Sequence, residues 1–213
     1  MKICVLGAGA LGCAIGAALG EGGSDVWLVN RAKDHVATLR RDGLTLVTPQ
    51  GERRIAVHAA TNCAEVGVVD LVIVLVKSFH TREAMAGAAP LIGERTAVLS
   101  LQNGLGHEDV LAEFVGRQRV LAGKTYVGGV LLGPGRIVSG SAGKQTILGE
   151  LDGARSERVL AIAAEFNRAG LATTVSDNIV GTMWDKLLVN VATGALSAIT
   201  RLPYGALYAV PEV

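Results

Sequence analysis

The chain has 213 residues, of which 50% are apolar and 18% charged, and a composition this rich in apolar residues excludes a disordered chain. Its formal net charge of +1, from 20 basic and 19 acidic residues, gives no electrostatic footprint for nucleic acid or for an anionic membrane surface. Three cysteines at irregular spacing, Cys4, Cys13 and Cys63, form neither a disulfide framework nor a paired metal site, so they read as buried free thiols and no metal is expected.

Behind Lys2, residues Ile3 to Gly20 run without a charge. Five glycines in that stretch, with Glu21 directly after it, make it a strand and a helix of small residues rather than a targeting or membrane segment. A soluble cytoplasmic protein with no membrane partner is the expectation. The pattern predicts strands at Lys2–Leu6 and Asp25–Val29, with a helix over Ala10–Leu19 between them. A helix follows over Arg31–Arg41, and then strands at Leu44–Val47 and Arg54–His58 around a turn at Pro49–Gly51. Asp70–Val76 (DLVIVLV) reads as a strand covered on both faces. A helix over Thr81–Ala89 and a strand over Thr96–Leu101 complete an alternation that implies a doubly wound parallel sheet. Between Val120 and Leu148, short β-prone pieces separated by glycines read as hairpin strands added to that sheet. A helix over Ser156–Ala169, a strand at Ala172–Val175 and a long helical stretch over Asn178–Ile199 close the chain, punctuated by Pro203 and Pro211. A boundary near Ser176 divides residues 1–175 from residues 176–213.

Gly7-Ala8-Gly9-Ala10-Leu11-Gly12 is a G-x-G-x-x-G motif placed between a predicted strand and a predicted helix. Gly7 permits the tight turn, Gly9 lets backbone approach a pyrophosphate, and Gly12 lets helix and strand lie close. The helix N-terminus then offers unpaired N–H groups to phosphate. An acid at the end of the second strand would bond a ribose 2′-hydroxyl; here stand neutral Asn30 and cationic Arg31, which favour a 2′-phosphate and therefore NADP(H) over NAD(H). Lys77 and Asn103 each follow a predicted strand, where an open parallel sheet binds its ligands. Lys186 and Asn190, four residues apart, share one helical face. Each of the four histidines, His35, His58, His80 and His107, stands singly, and a satisfied or solvated ring is the simpler expectation for all of them.

Five separated motifs occur in one order: KICVLGAGALG, Arg31, VK at 76–77, QNGLG at 102–106 and WDKLLVN at 184–190. In this order the sequence resembles the ketopantoate reductase (2-dehydropantoate 2-reductase) family. The resemblance implies an α/β fold: a Rossmann-like NADP-binding domain with added hairpin strands, followed by the start of an all-helical substrate domain that the family continues past residue 213. It implies reduction of a 2-oxo acid, 2-dehydropantoate, to a 2-hydroxy acid with NADPH in pantothenate biosynthesis. Carried onto this sequence, residues Gly7, Ala8, Gly9, Ala10, Leu11 and Gly12 would cradle the pyrophosphate, and Arg31 and Lys77 would hold the adenosine end. Gly129 would pass close to the cofactor, Asn103 would sit between nicotinamide and substrate, Asn190 would bind substrate, and Lys186 would be the catalytic acid. The pattern departs at Gly194 and Tyr204, where the family places asparagines, which leaves the identity of the 2-oxo acid open. A non-catalytic NADPH-binding module and a related two-domain dehydrogenase with a different 2-oxo or 3-hydroxy acid substrate are the alternatives. The sequence leaves a homodimer open.

Overall fold

A computed structural model describes residues 1–48, 51–140 and 143–210. Pro49 and Gln50 of the expected turn, and Pro211, lie outside them. The elements in chain order are β1 (Lys2–Leu6), α1 (Ala10–Glu21), β2 (Asp25–Val29), α2 (Lys33–Asp42), β3 (Leu44–Thr48), β4 (Gly51–Ile55) and β5 (His58–Ala60). There follow β6 (Leu71–Val74), α3 (Thr81–Ala86), β7 (Ala97–Ser100), α4 (His107–Val115), β8 (Val120–Thr125), β9 (Gly128–Gly133) and β10 (Arg136–Gly140). The chain continues through β11 (Thr146–Glu150), α5 (Glu157–Arg168), β12 (Thr173–Val175), α6 (Ile179–Thr200) and α7 (Tyr204–Leu207).

Eight strands form the main sheet in the order β12-β11-β8-β7-β6-β1-β2-β5. All its pairings are parallel except β8 with β11. Continuous apolarity in β1 and β6 has its reason here, because helices cover both faces. Alternate residues of β1 divide between the two cores: Ile3 and Val5 pack with Ile15, Leu28 and Phe166 on one side, and Cys4 and Leu6 with Val72, Met85 and Leu111 on the other. The chain leaves β1 toward β2 on one side and reaches β6 on the other, so strand order reverses at β1. That reversal opens a crevice at the carboxyl ends of β1 and β6, where doubly wound sheets bind ligands.

The glycine-rich strands divide between two sheets, where the sequence pattern suggests additions to one. β8 and β11 extend the main sheet, while β9 and β10 join β3 and β4 in a second sheet of order β4-β3-β10-β9. The expected strand at 54–58 is likewise split: β4 pairs antiparallel with β3, and β5 pairs parallel with β2. The helix α4 is not among the elements the sequence pattern predicts; its start is set by Gly106, whose φ of 84° is a left-handed conformation that an L side chain resists. The helix α6 runs unbroken through Gly181 and Gly194. It buries Ile179, Met183 and Thr193 and leaves Trp184, Leu188, Val189, Val191 and Ile199 exposed. Among the described residues no helix is long and apolar enough to cross a membrane.

Candidate functional site

The turn from β1 to α1 is built so that a side chain is excluded at three glycines and tolerated at one. A Cβ on Gly7, whose φ is 110°, would lie 2.5 Å from the Val76 backbone nitrogen. One on Gly12 would lie 2.3 Å from the Gly7 carbonyl oxygen, and one on Gly16 would lie 2.5 Å from Leu28 Cδ2. Gly7 and Gly12 bring turn, helix and the β6 end into backbone contact, and Gly16 seats α1 on the Leu28 side chain. A Cβ on Gly9 would meet nothing within 4 Å. Gly9 therefore borders open space, and its glycine is not explained by protein packing. The Ala8 N–H donates to the Val29 carbonyl at 2.9 Å, which pins the turn to the end of β2. Ala10, Leu11 and Gly12 open α1, so helix geometry leaves their N–H groups without a carbonyl one turn back.

Beside this turn lies a cavity of about 380 Å³ lined by Gly7, Gly9, Asn30, Arg31, Lys77 and further residues of the β2 and β6 ends. Of the sequence-predicted cofactor residues, Gly7, Gly9, Arg31 and Lys77 line this cavity, and Asn103 does not. Asn30 is spent on the scaffold: its Nδ2 donates to the Ala8 carbonyl at 2.7 Å, and its Oδ1 accepts from the Ala32 N–H at 2.9 Å. Arg31 precedes α2 rather than opening it. Its Nη1 donates to Glu83 Oε1 at 2.7 Å, and its Nη2 lies 3.3 Å from His80 Nε2. Lys77 follows β6 and is exposed at the cavity wall.

The end of β7 is held by a residue that sequence reasoning passes over. Gln102 is buried, and its Nε2 donates to the Val76 carbonyl and to Thr81 Oγ1, each at 2.8 Å. It ties the end of β7 to the end of β6. Asn103 stands next to it with its side chain exposed, and its carbonyl accepts from His107 Nε2 at 2.9 Å. His107 is therefore a satisfied structural histidine. His35 is another: its Nδ1 accepts from the Gly135 N–H at 3.0 Å, and burial holds its pKa below the ordinary value. His58 stacks on Trp27, with ring centroids 4.7 Å apart. Only His80 of the four lines the cavity.

Gly129 and Lys186 lie outside the cavity lining. A Cβ on Gly129 would lie 3.1 Å from the Ala10 carbonyl oxygen and 3.0 Å from that of Val138. β9 therefore rests directly on the start of α1. Lys186 is half-buried, and its ammonium donates to the carbonyl of Thr125, the last residue of β8, at 2.7 Å. It also stands 5.6 Å from the Tyr126 ring centroid, and the buried Lys124 ammonium stands 5.7 Å from the same ring. Burial first, and the Lys124 charge second, hold the Lys186 ammonium below the ordinary lysine pKa. The first turns of α6 place Ile179 and Met183 against Ala122 and Leu105, so the helix carrying Lys186 packs on the loop that follows Asn103. Asn190, one turn on, is half-buried. One turn further is Gly194, whose hypothetical Cβ would lie 3.6 Å from the Tyr204 hydroxyl. The two positions singled out as departures thus face each other.

Residues 3–153 match the family profile described as ketopantoate reductase PanE/ApbA, and residues 178–213 match that of its C-terminal region. The chain belongs to the ketopantoate reductase family. A 2-dehydropantoate 2-reductase from Halobacterium salinarum is 38% identical to this family member, over 99% of this chain and 69% of its own length. The crystal structure of 2-dehydropantoate 2-reductase from Geobacter metallireducens superposes with a TM-score of 0.90 at 31% identity, covering 99% of this chain and 69% of that one. A ternary structure of D-mandelate dehydrogenase with NADH and anilino(oxo)acetate superposes with a TM-score of 0.87 at 30% identity, covering 95% and 65%. This ketopantoate reductase family chain therefore spans about two thirds of the length of its relatives, and its Rossmann-like sheet and following helix are theirs.

Proposed function

We propose that the protein reduces a 2-oxo acid to a 2-hydroxy acid with NADPH, with 2-dehydropantoate as substrate and pantoate as product. The observation that carries this reading is Lys186. It is a half-buried ammonium fixed on the end of a sheet strand, on the side of the sheet where the glycine turn and its cavity open. Residues 1–175 serve the cofactor, and residues 176–213 bring the first substrate-binding helix.

The glycine turn fits a dinucleotide on its own geometry. Open space at Gly9, beside glycines that admit no side chain, makes a backbone-walled cradle at a helix N-terminus. The N–H groups of Ala10, Leu11 and Gly12 would hold the pyrophosphate, with Ala8 anchoring the turn and Gly129 closing it from β9. Arg31 and Lys77 would hold the 2′-phosphate as a paired cationic wall. The nicotinamide supplies hydride when bound. Asn103, at the end of β7, separates the cofactor side from the substrate side. Asn190 hydrogen-bonds the substrate. Lys186 donates its proton to the substrate's carbonyl oxygen, where negative charge grows as that carbon is reduced. A partly desolvated ammonium suits the task, because a depressed pKa makes it the stronger acid.

The test is the initial rate of NADPH oxidation with 2-dehydropantoate, in the full-length protein and its Lys186→Ala variant. The expected result is a fall in kcat of about 100-fold or more with NADPH affinity unchanged. Equal rates in the two would remove Lys186 from the chemistry.

A further inference from the structure

The cavity beside the glycine turn contains a carboxylate where the proposed cofactor reading needs positive charge. Glu83, from α3, is the sole acidic side chain among the described residues that line it. It is part of a closed ring of three. Arg31 Nη1 donates to Glu83 Oε1 at 2.7 Å, Arg31 Nη2 meets His80 Nε2 at 3.3 Å, and His80 Nδ1 meets Glu83 Oε2 at 3.1 Å. The proton positions are mutually consistent. A guanidinium only donates, so in this contact His80 Nε2 accepts and Nδ1–H donates to the Glu83 carboxylate.

We propose that Glu83 is a cofactor-selectivity residue, which accepts the ribose 2′-hydroxyl of NADH and opposes the 2′-phosphate of NADPH at Arg31. The inference rests on reading this cavity as the adenosine-ribose site of a nicotinamide dinucleotide. Many dinucleotide sites supply the ribose acid from the end of the second strand. Here that position is Asn30, and both ends of its amide are committed to backbone partners. Glu83 reaches the same place from the opposite wall of the crevice.

The charge balance separates the two cofactors. Arg31 and Lys77 bring two positive charges to the cavity, and Glu83 cancels one of them. A 2′-phosphate must take the Arg31 fork from Glu83 or bind with a carboxylate beside it, whereas a 2′-hydroxyl can donate to that carboxylate with the ring left intact. The pair is held loosely enough to exchange: the Arg31 and Glu83 side chains are 65% and 61% exposed, and pairs this open to water contribute little to stability. Its position in the cavity is thus better explained by what it does to a ligand than by what it does for the fold.

The experiment is titration of NADPH and of NADH, by calorimetry or by nicotinamide fluorescence, against the full-length protein and its Glu83→Gln and Arg31→Ala variants. The expected result for Glu83→Gln is a Kd for NADPH about fivefold lower and a Kd for NADH a few-fold higher, so the preference between them moves by about tenfold. Arg31→Ala should weaken NADPH and spare NADH. A Glu83→Gln protein that binds both cofactors with their original ratio overturns the selectivity role while leaving the site reading intact. Failure of both cofactors to bind the unsubstituted protein overturns the site reading and the inference with it.

Discussion

The Lys186 ammonium donates to the Thr125 carbonyl oxygen at 2.7 Å, and this contact ties the long α6 helix to the end of β8, an interior strand of the main sheet. It fixes where the ammonium can point and how much water it keeps. Lys124, one residue before Thr125, is buried and shares the Tyr126 ring with it, so its charge bears on the same proton.

The pH dependence of turnover has a definite sign. In reduction, the acid must be protonated before turnover. With Lys186 as the proposed proton donor, the rate is expected to be full at low pH and to fall as pH rises through the Lys186 pKa, which burial and Lys124 hold below the ordinary lysine value. Lys124→Met removes the like charge, so the alkaline fall should move to higher pH by up to about one unit. The profile of kcat against pH at saturating substrate checks it. Coincident alkaline limbs in the two proteins would show that Lys124 does not act on Lys186.

The glycine turn separates packing from binding. Gly12→Ala forces a methyl group against the Gly7 carbonyl at 2.3 Å, where backbone must shift. It should cost about 1–3 kcal/mol of stability, seen in denaturant unfolding. Gly9→Ala meets nothing within 4 Å, so stability should change by less than about 0.5 kcal/mol. Its methyl would instead enter the space proposed for the pyrophosphate, and cofactor affinity should fall about tenfold or more. If Gly9→Ala binds NADPH as tightly as the parent, the cradle is not where the dinucleotide lies.

The glycine turn is legible in sequence because each glycine answers a local steric demand that spacing alone expresses. The same holds for β1 and β6, whose unbroken apolar runs state that both faces are covered. Other features depend on tertiary pairing. Residues 54–58 look like one strand, yet Ile55 pairs with Leu44 in one sheet and His58 with Trp27 in the other, and no local pattern announces the change. Glu83 has the sequence character of any exposed helical acid. Only the fold sets it across the crevice from Arg31, 52 residues away. Gln102 sits inside a recognised motif, but its importance lies in partners at Val76 and Thr81 that the chain brings back from another crossover.

Those Gln102 bonds make a prediction of their own. Gln102→Leu keeps the volume but removes the donor from two acceptors, the part-buried Val76 carbonyl and the buried Thr81 Oγ1. The Val76 carbonyl loses its side-chain donor, while Thr81 Oγ1 keeps its bond to the Ser78 carbonyl, so the protein should be destabilised by about 1–2 kcal/mol. The loss should also loosen the Lys77 and Asn103 ends of their strands, raising the KM for both substrates more than it lowers kcat. A denaturant midpoint and m-value identical to the parent's would show that water replaces the amide without cost.

Gly194 lies in the interior of α6, where glycine is unfavourable by about 1 kcal/mol relative to alanine. Nothing in the packing demands it: a Cβ there would meet only the Tyr204 hydroxyl, at an ordinary contact distance of 3.6 Å. Gly194→Ala should therefore raise stability by about 0.5–1 kcal/mol, read as a higher denaturant midpoint at unchanged slope. A larger side chain is a different matter, because it must occupy the position of the Tyr204 hydroxyl. Gly194→Asn should displace that ring, and the displacement should be relieved in the Gly194→Asn/Tyr204→Ala double variant. The two substitutions should then be non-additive by more than about 0.5 kcal/mol, as expected for side chains in contact. Strict additivity would mean that Gly194 and Tyr204 do not share the space in which α6 and α7 meet. Because Gly194 follows Lys186 and Asn190 at successive four-residue steps, the same double-mutant cycle run on the KM for 2-dehydropantoate reports whether that space belongs to the substrate.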